Sequence, residues 1–132
     1  MQNKTLPHDH GTNANLVQNN FPPPKDFQNI ADILHQLGDG SRLRLFWLLC
    51  HCEECVINLS ALLNMSSPAL SHHLRQLKAH GLVESRRQGK EVYYKAADNA
   101  KVHLLHPLIE ELISITCPFP TSQENHLKKE DS

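Results

Sequence analysis

From residue 25 onward apolar positions recur along the chain at helical spacing. Residues 1–24 carry no such period and end in the run Pro22-Pro23-Pro24, which predicts a disordered arm. In DFQNIADILHQLG the positions Phe27, Ile30, Ile33, Leu34 and Leu37 share one helical stripe, and Gly38 ends it. Asp39-Gly40-Ser41 predicts a turn with Ser41 as the next N-cap. Residues 42–50 (RLRLFWLLC) are nearly all apolar after the first turn, the pattern of a buried central helix. Two short helices follow, over 56–64 and 68–79, joined around Met65-Ser66-Ser67. Ser67 is the expected N-cap of the second, and Pro68 suits its first turn. Leu70, Leu74 and Leu77 form an inward stripe that leaves Ser71, His72, Arg75 and Gln76 largely outward, and Gly81 closes the helix.

Residues 82–85 and 91–95 alternate as strands, with Gln88-Gly89 as the turn signal between them. A last amphipathic helix is predicted over 99–117, with Val102, Leu105, Leu108, Ile109, Leu112 and Ile113 on its apolar face. Pro107 predicts either a kink or a start later than Asn99, and Pro118 a stop. The resulting order is α-α-α-α-β-β-α, a mainly α fold with a small β-hairpin and the layout of a winged helix-turn-helix. One domain is expected over 25–117, flanked by the arm (1–24) and a disordered tail (118–132).

The chain has 132 residues, 39% of them hydrophobic, and no uncharged apolar run approaches a membrane span. The N-terminal stretch MQNKTLPHDHGTNAN has no apolar core of a secretory signal. The expectation is a soluble, cytoplasmic protein with no membrane partner. A net charge of −1 superficially argues against nucleic acid, but the charges are unevenly placed. Between residues 66 and 95 the cations Arg75, Lys78, Arg86, Arg87, Lys90 and Lys95 face only Glu84 and Glu91. Such a patch suits phosphate contact; a merely solvated charged face is the plainer alternative.

If the second helix of the turn unit enters the major groove, Arg75 and Gln76 can pair with guanine and adenine edges. Ser67, Ser71 and His72 are short polar groups suited to phosphates or base edges. Arg86, Arg87 and Lys90 on the hairpin would reach flanking phosphates, which position rather than specify. His73 reads equally as a packed histidine. One such head covers a few base pairs, so a homodimer on a near-palindromic double-stranded site is expected, with the first and last helices supplying the interface.

The segments LGDGSRLRLFWLL, SSPALSHHLRQLKAHGLV and RRQGKEVYYK together resemble the ArsR/SmtB family of small bacterial transcriptional repressors. The likeness covers roughly residues 27–117. It implies a homodimer that holds operator DNA when inducer-free and releases it when a metal ion or oxidant binds, and it implies no enzyme activity. A winged-helix interaction module that no longer binds DNA is the rival from another class.

Cysteines stand at Cys50, Cys52, Cys55 and Cys117. Three within six residues is not a secreted disulfide framework; soft-metal binding or redox sensing fits better. Thiolates at Cys50, Cys52, Cys55 and Cys117 would favour Zn, Cd, Pb, Cu(I) or As(III). The arsenic site implied by the resemblance is incomplete, because only Cys55 aligns with it while Ile57 and Ser60 take the other places. The last-helix zinc site is incomplete as well: Asp98 fits, but Ala100, Glu111 and Ser114 occupy the remaining positions. His103, His106, Glu110 and Glu111 offer a different site or simply an exposed polar face. Persulfide- and oxidant-sensing relatives pair cysteines near the places of Cys50 and Cys117. A disulfide from Cys50 or Cys52 to Cys117 would need Cα atoms within about 7 Å. His8 and His10 in the arm are a further metal-ligand option.

Overall fold

The computed structural model describes residues 5–11 and 13–116. They fall into two compact units that divide between His35 and Gln36. In the first unit lies a short helix that no periodicity predicted, α1 (Ala14–Asn19), with no buried residue. Phe21 meets Phe27 edge-on at 6.3 Å. The helix α2 (Pro24–Leu37) starts at the last proline of the run, a position that needs no N–H donor. Its Phe27, Ile30 and Leu34 are all exposed.

The second unit is built on α3 (Gly40–Leu49). The cap is Asp39, whose Oδ2 accepts the Arg42 N–H at 2.9 Å; the predicted cap, Ser41, lies inside the first turn. Asp39 has the extended backbone a cap requires, and its carboxylate sits at the positive end of the helix. Leu45, Phe46 and Leu49 of α3 are buried. The helices α4 (Val56–Leu63) and α5 (Ser67–Ala79) form the turn unit. Asn64 ends α4 in the left-handed region at φ 55°, a conformation that asparagine tolerates better than most residues. Here too the cap precedes the predicted one, this time by one residue. Ser66, not Ser67, accepts the Ala69 N–H through its hydroxyl, and this leaves Pro68 in the first turn.

A three-stranded antiparallel sheet completes the unit, in the order β1 (Glu54–Cys55), β3 (Glu91–Ala96), β2 (Val83–Gln88). β1 is an addition to the predicted hairpin; it pairs Glu54 with Tyr94 and Cys55 with Tyr93. β2 and β3 pair from Val83–Ala96 to Gln88–Glu91, longer than the sequence suggested. The two-residue loop is therefore Gly89-Lys90 rather than Gln88-Gly89. Gly89, at φ 64°, holds the first loop position, which a II′ hairpin reserves for glycine.

α6 (Ala100–Thr116) runs through Pro107, so the late start at that proline is not realised. Its true start is fixed by Asn99, whose Oδ1 accepts the Val102 N–H while its Nδ2 donates to the Gly81 carbonyl. Leu59 and Leu63 of α4, Leu70, Leu74 and Leu77 of α5, Leu82, Val83, and Val102, Leu105 and Ile109 of α6 join the α3 residues in one core.

Two outcomes follow from this packing. Leu70 has no exposed surface, and Leu70→Ala is expected to cost about 3 kcal/mol in denaturant unfolding. His73, half-buried on α5, leaves its Nδ1 without a partner. Burial pushes its imidazole below the ordinary value; the Asp39 carboxylate opposes this, while Arg42 and His72 add to it. With the folded value depressed, the unfolded chain takes up the proton first as pH falls, so protonation favours unfolding. Stability should be full above the ordinary value of 6.5 and fall as pH drops through and below it. Unfolding midpoints of parent and His73→Gln, measured between about pH 7 and 5, should show a shallower acid loss in the variant.

Candidate nucleic-acid interface and an imidazole–carboxylate cluster

Burying Leu70, Leu74 and Leu77 turns the opposite face of α5 outward. Ser67, Ser71, His72 and Arg75 are exposed there, and Gln76 is half-buried. The helix therefore presents a guanidinium, a carboxamide, hydroxyls and an imidazole along one ridge. Lys78 is tied down at the far end, its Nζ donating to the Ser85 hydroxyl at 2.7 Å. At the hairpin, Arg87 and Lys90 are exposed, and Arg87 makes only a long 3.5 Å contact with the Gly89 carbonyl.

Arg86 behaves differently from its neighbour. Its Nε and Nη2 donate to the two carboxylate oxygens of Glu53, each at 2.8 Å, and its Nη1 donates to Gln88 Oε1. The guanidinium also lies 5.0 Å from the centre of the Tyr93 ring. A two-pronged pair of this kind satisfies the planar donor fork. It also holds the Glu53 carboxyl below its ordinary value. Of the cations nearest the hairpin tip, Arg86, Arg87 and Lys90, it is Arg86 that is already neutralised within the chain; Lys95, further along β3, pairs with Glu84 at 3.5 Å.

The cysteines sit where α3 gives way to β1. Cys50 caps α3, and its half-buried thiol is pushed up to about 11 by burial and by the Glu110 carboxylate. Cys52 is raised as well, by burial and by Glu54, and its Sγ lies 3.5 Å from the Leu48 carbonyl oxygen. Cys55 is buried at the start of α4. All three are free thiols. Cys117 lies outside the described residues. Cys50 and Cys52 line a groove shared with His51, Lys95, Asp98, His103 and His106.

The cysteines are not the tightest gathering of metal-ligand types among the described residues. The only group of three or more His, Cys, Asp or Glu whose ligand atoms all lie within 4.8 Å is His51, His106 and Glu110. Cys50, Cys52 and Cys55 do not form such a group. Glu110 Oε1 lies 2.9 Å from His51 Nε2 and 3.2 Å from His106 Nε2, and the two nitrogens are 3.2 Å apart. Trp47 Nε1 donates to the same oxygen at 2.8 Å. Burial pushes the Glu110 carboxyl up, but the hydrogen bonds from His51, Trp47 and His106 outweigh it, leaving the group below its ordinary value. His103 is drawn elsewhere, to Asp98 at 2.7 Å, and Glu111 stays exposed. His8 and His10 stack on each other at 5.7 Å within the first unit. The sequence reading offered His106 and Glu110 as ligands but missed His51, Trp47 and the Glu53–Arg86 pair. The i,i+4 spacing of His106 and Glu110 was the visible half of the signal.

Comparison with known proteins places this architecture. The family model described as "Bacterial regulatory protein, arsR family" matches residues 39–85, from the cap of α3 into β2. A transcriptional repressor SmtB homolog of Synechocystis is 41% identical over 85 residues; the match spans 64% of this chain and 64% of that protein, under two thirds of its length. The crystal structure of the transcriptional repressor BigR from Xylella fastidiosa is 31% identical, covers 70% of this chain and 91% of that one, and has a TM-score of 0.61. A homodimeric winged helix-turn-helix DNA-binding domain from Mycobacterium bovis, solved by NMR, is 26% identical, covers 85% of this chain and 94% of that one, and has a TM-score of 0.60. With the α5 ridge, the hairpin and the sequence matches agreeing, the chain belongs to the ArsR family of bacterial regulatory proteins and has its winged helix-turn-helix fold.

Proposed function

We propose that this chain is a cytoplasmic, homodimeric transcriptional repressor that binds double-stranded operator DNA and lets go when a soft metal or thiol-reactive inducer arrives. The observation that carries the DNA reading is the exposed ridge of α5. Arg75 and Gln76 are the side chains suited to base edges, with Ser67, Ser71 and His72 beside them. Arg87 and Lys90 reach the flanking backbone from the hairpin. Two copies are supported by exposed apolar residues on each of two described helices, taken separately: Phe27, Ile30 and Leu34 on α2, and Leu104, Leu108, Leu112 and Ile115 on α6. Either group left in water carries a cost. The M. bovis neighbour is described as a homodimer.

The inducer reading rests on the position of the thiols. Cys50 and Cys52 line the groove between the end of α3 and the start of α6, where a metal ion or an oxidant can meet them. Cys55 and Cys117 are the remaining candidates for the metal set, and Cys50 with Cys117 is the redox alternative. Both thiols in the groove are held protonated near neutral pH. This disfavours direct oxidation and leaves displacement of the proton by a soft metal as the better route.

DNA from the chain's own upstream region should bind in a gel shift and be released by at least one of Zn, Cd, Pb, Cu(I), arsenite or persulfide. Cys50→Ser and Cys52→Ser should blunt that release. Unchanged release from Cys→Ser variants at positions 50, 52, 55 and 117 would sink the thiol reading, and absence of salt-sensitive binding would leave the interaction-module alternative.

The Glu53–Arg86 pair adds a quantitative expectation. Lys90→Ala should flatten the dependence of log K on log salt by about one unit, whereas Arg86→Ala in the parent should change it little. Glu53→Gln frees Arg86 and should tighten binding and steepen the slope by about one unit. Fluorescence anisotropy across a salt series reads all three; equal flattening by Arg86→Ala and Lys90→Ala would show that Glu53 does not keep Arg86 off the phosphates.

A further inference from the structure

We propose that His51, His106 and Glu110 form a site for a single borderline divalent cation, of the zinc, cobalt or nickel kind, that ties the end of α3 to the middle of α6. The proposal goes beyond the operator-binding reading and does not depend on it. It also involves none of the four cysteines.

The geometry is the first support. A cation held about 2.0–2.2 Å from imidazole nitrogen and carboxylate oxygen keeps its ligand atoms about 3.3 Å apart in a tetrahedral shell, or about 2.9 Å apart at an octahedral right angle. The three separations found here are 2.9, 3.2 and 3.2 Å. The ligand atoms already stand at the spacing a bound ion imposes.

Proton bookkeeping is the second. Glu110 Oε1 accepts from Trp47 and faces both Nε2 atoms. If both nitrogens carry hydrogens, two donors crowd one another at 3.2 Å; if one does, the bare nitrogen's lone pair faces the carboxylate; if neither does, two lone pairs and a carboxylate converge with nothing between them. A cation satisfies all three atoms at once. The Trp47 N–H then fixes the carboxylate from behind, the outer-shell support that ligating groups ordinarily have.

Placement is the third. His51 follows the end of α3, where its ring lies 4.4 Å from Trp47 and 4.9 Å edge-on from His106. His106 and Glu110 lie one turn apart on α6. The same groove that exposes Cys50 and Cys52 reaches His51 and His106, which leaves an entry path and room for water as the fourth ligand. Two imidazoles and one carboxylate favour borderline ions over calcium or magnesium, which prefer all-oxygen shells, and over Cu(I), which prefers sulfur.

The test uses the full chain, reduced, titrated with Co(II). Trp47 is the only tryptophan, so its emission reports directly on the neighbouring site. The expected result is one Co(II) per chain, visible d–d absorption without a sulfur-to-cobalt band, quenching of Trp47, and displacement by Zn(II). His106→Ala and Glu110→Gln should each weaken the binding that quenches Trp47 by about tenfold or more, while Glu111→Gln, exposed and outside the cluster, should leave it unchanged. If His106→Ala loses its helical circular dichroism, the half-exposed His51→Asn takes its place. The proposal is overturned by absence of saturable quenching of Trp47, by a sulfur-to-cobalt band that grows in step with that quenching, or by parent-like affinity in the folded ligand variants.

Discussion

Everything that this protein presents to a partner depends on which face of α5 is taken out of water. Leu70, Leu74 and Leu77 are one helical stripe, and all three are buried against α3, α4 and the start of β2. Burying such side chains contributes roughly 1.5–3 kcal/mol each, far more than any hydrogen bond the polar ridge makes on its own account. The orientation of Arg75 and His72 is thus set by leucines on the opposite face of the helix. Rotating the helix by one residue would place Ser71 in the core and a leucine in water. The reading ridge is rigid because the core beneath it is.

Around that core the polar ties are few and each joins distant parts of the chain. Asn99 bonds the Gly81 carbonyl and so fixes α6 to the turn after α5. Glu53 grips Arg86 and fixes the segment behind α3 to the wing. Trp47 and His51 meet Glu110 and fix α3 to α6. None of these carboxylates is deeply buried, so the pairs orient more than they stabilise. Two of the three ties meet the groove that holds Cys50 and Cys52, since Glu53 and His51 both line it.

The helices and the hairpin were legible in the sequence because their signals are local. Leu70, Leu74 and Leu77 repeat at helical spacing, and Gly89 marks the turn. The caps at Asp39 and Ser66 were each missed in favour of a serine one or two places on, since either side chain can cap and only backbone geometry decides. β1 was not legible, because two residues cannot alternate and their partners, Tyr93 and Tyr94, lie almost forty positions away. Separations of 59 and 33 positions likewise hid the His51–Glu110 contact and the Glu53–Arg86 pair. The clustered cysteines drew attention to sulfur, while the histidine between them made the closer cluster.

β1 passes straight into α4: Cys55 is the last strand residue and Val56 the first helical one. Residues 50, 51 and 52 are all still bonded to the last turn of α3. The slack between the central helix and the turn unit is therefore confined to Glu53. A residue inserted after Cys55 would turn α4 by about 100° and drive its leucines out of register with the core. One inserted beside Glu53 would be absorbed as loop. Length can drift at that single point while the outward ridge of α5 stays in place, so the join beside the groove is the part of the chain freest to change.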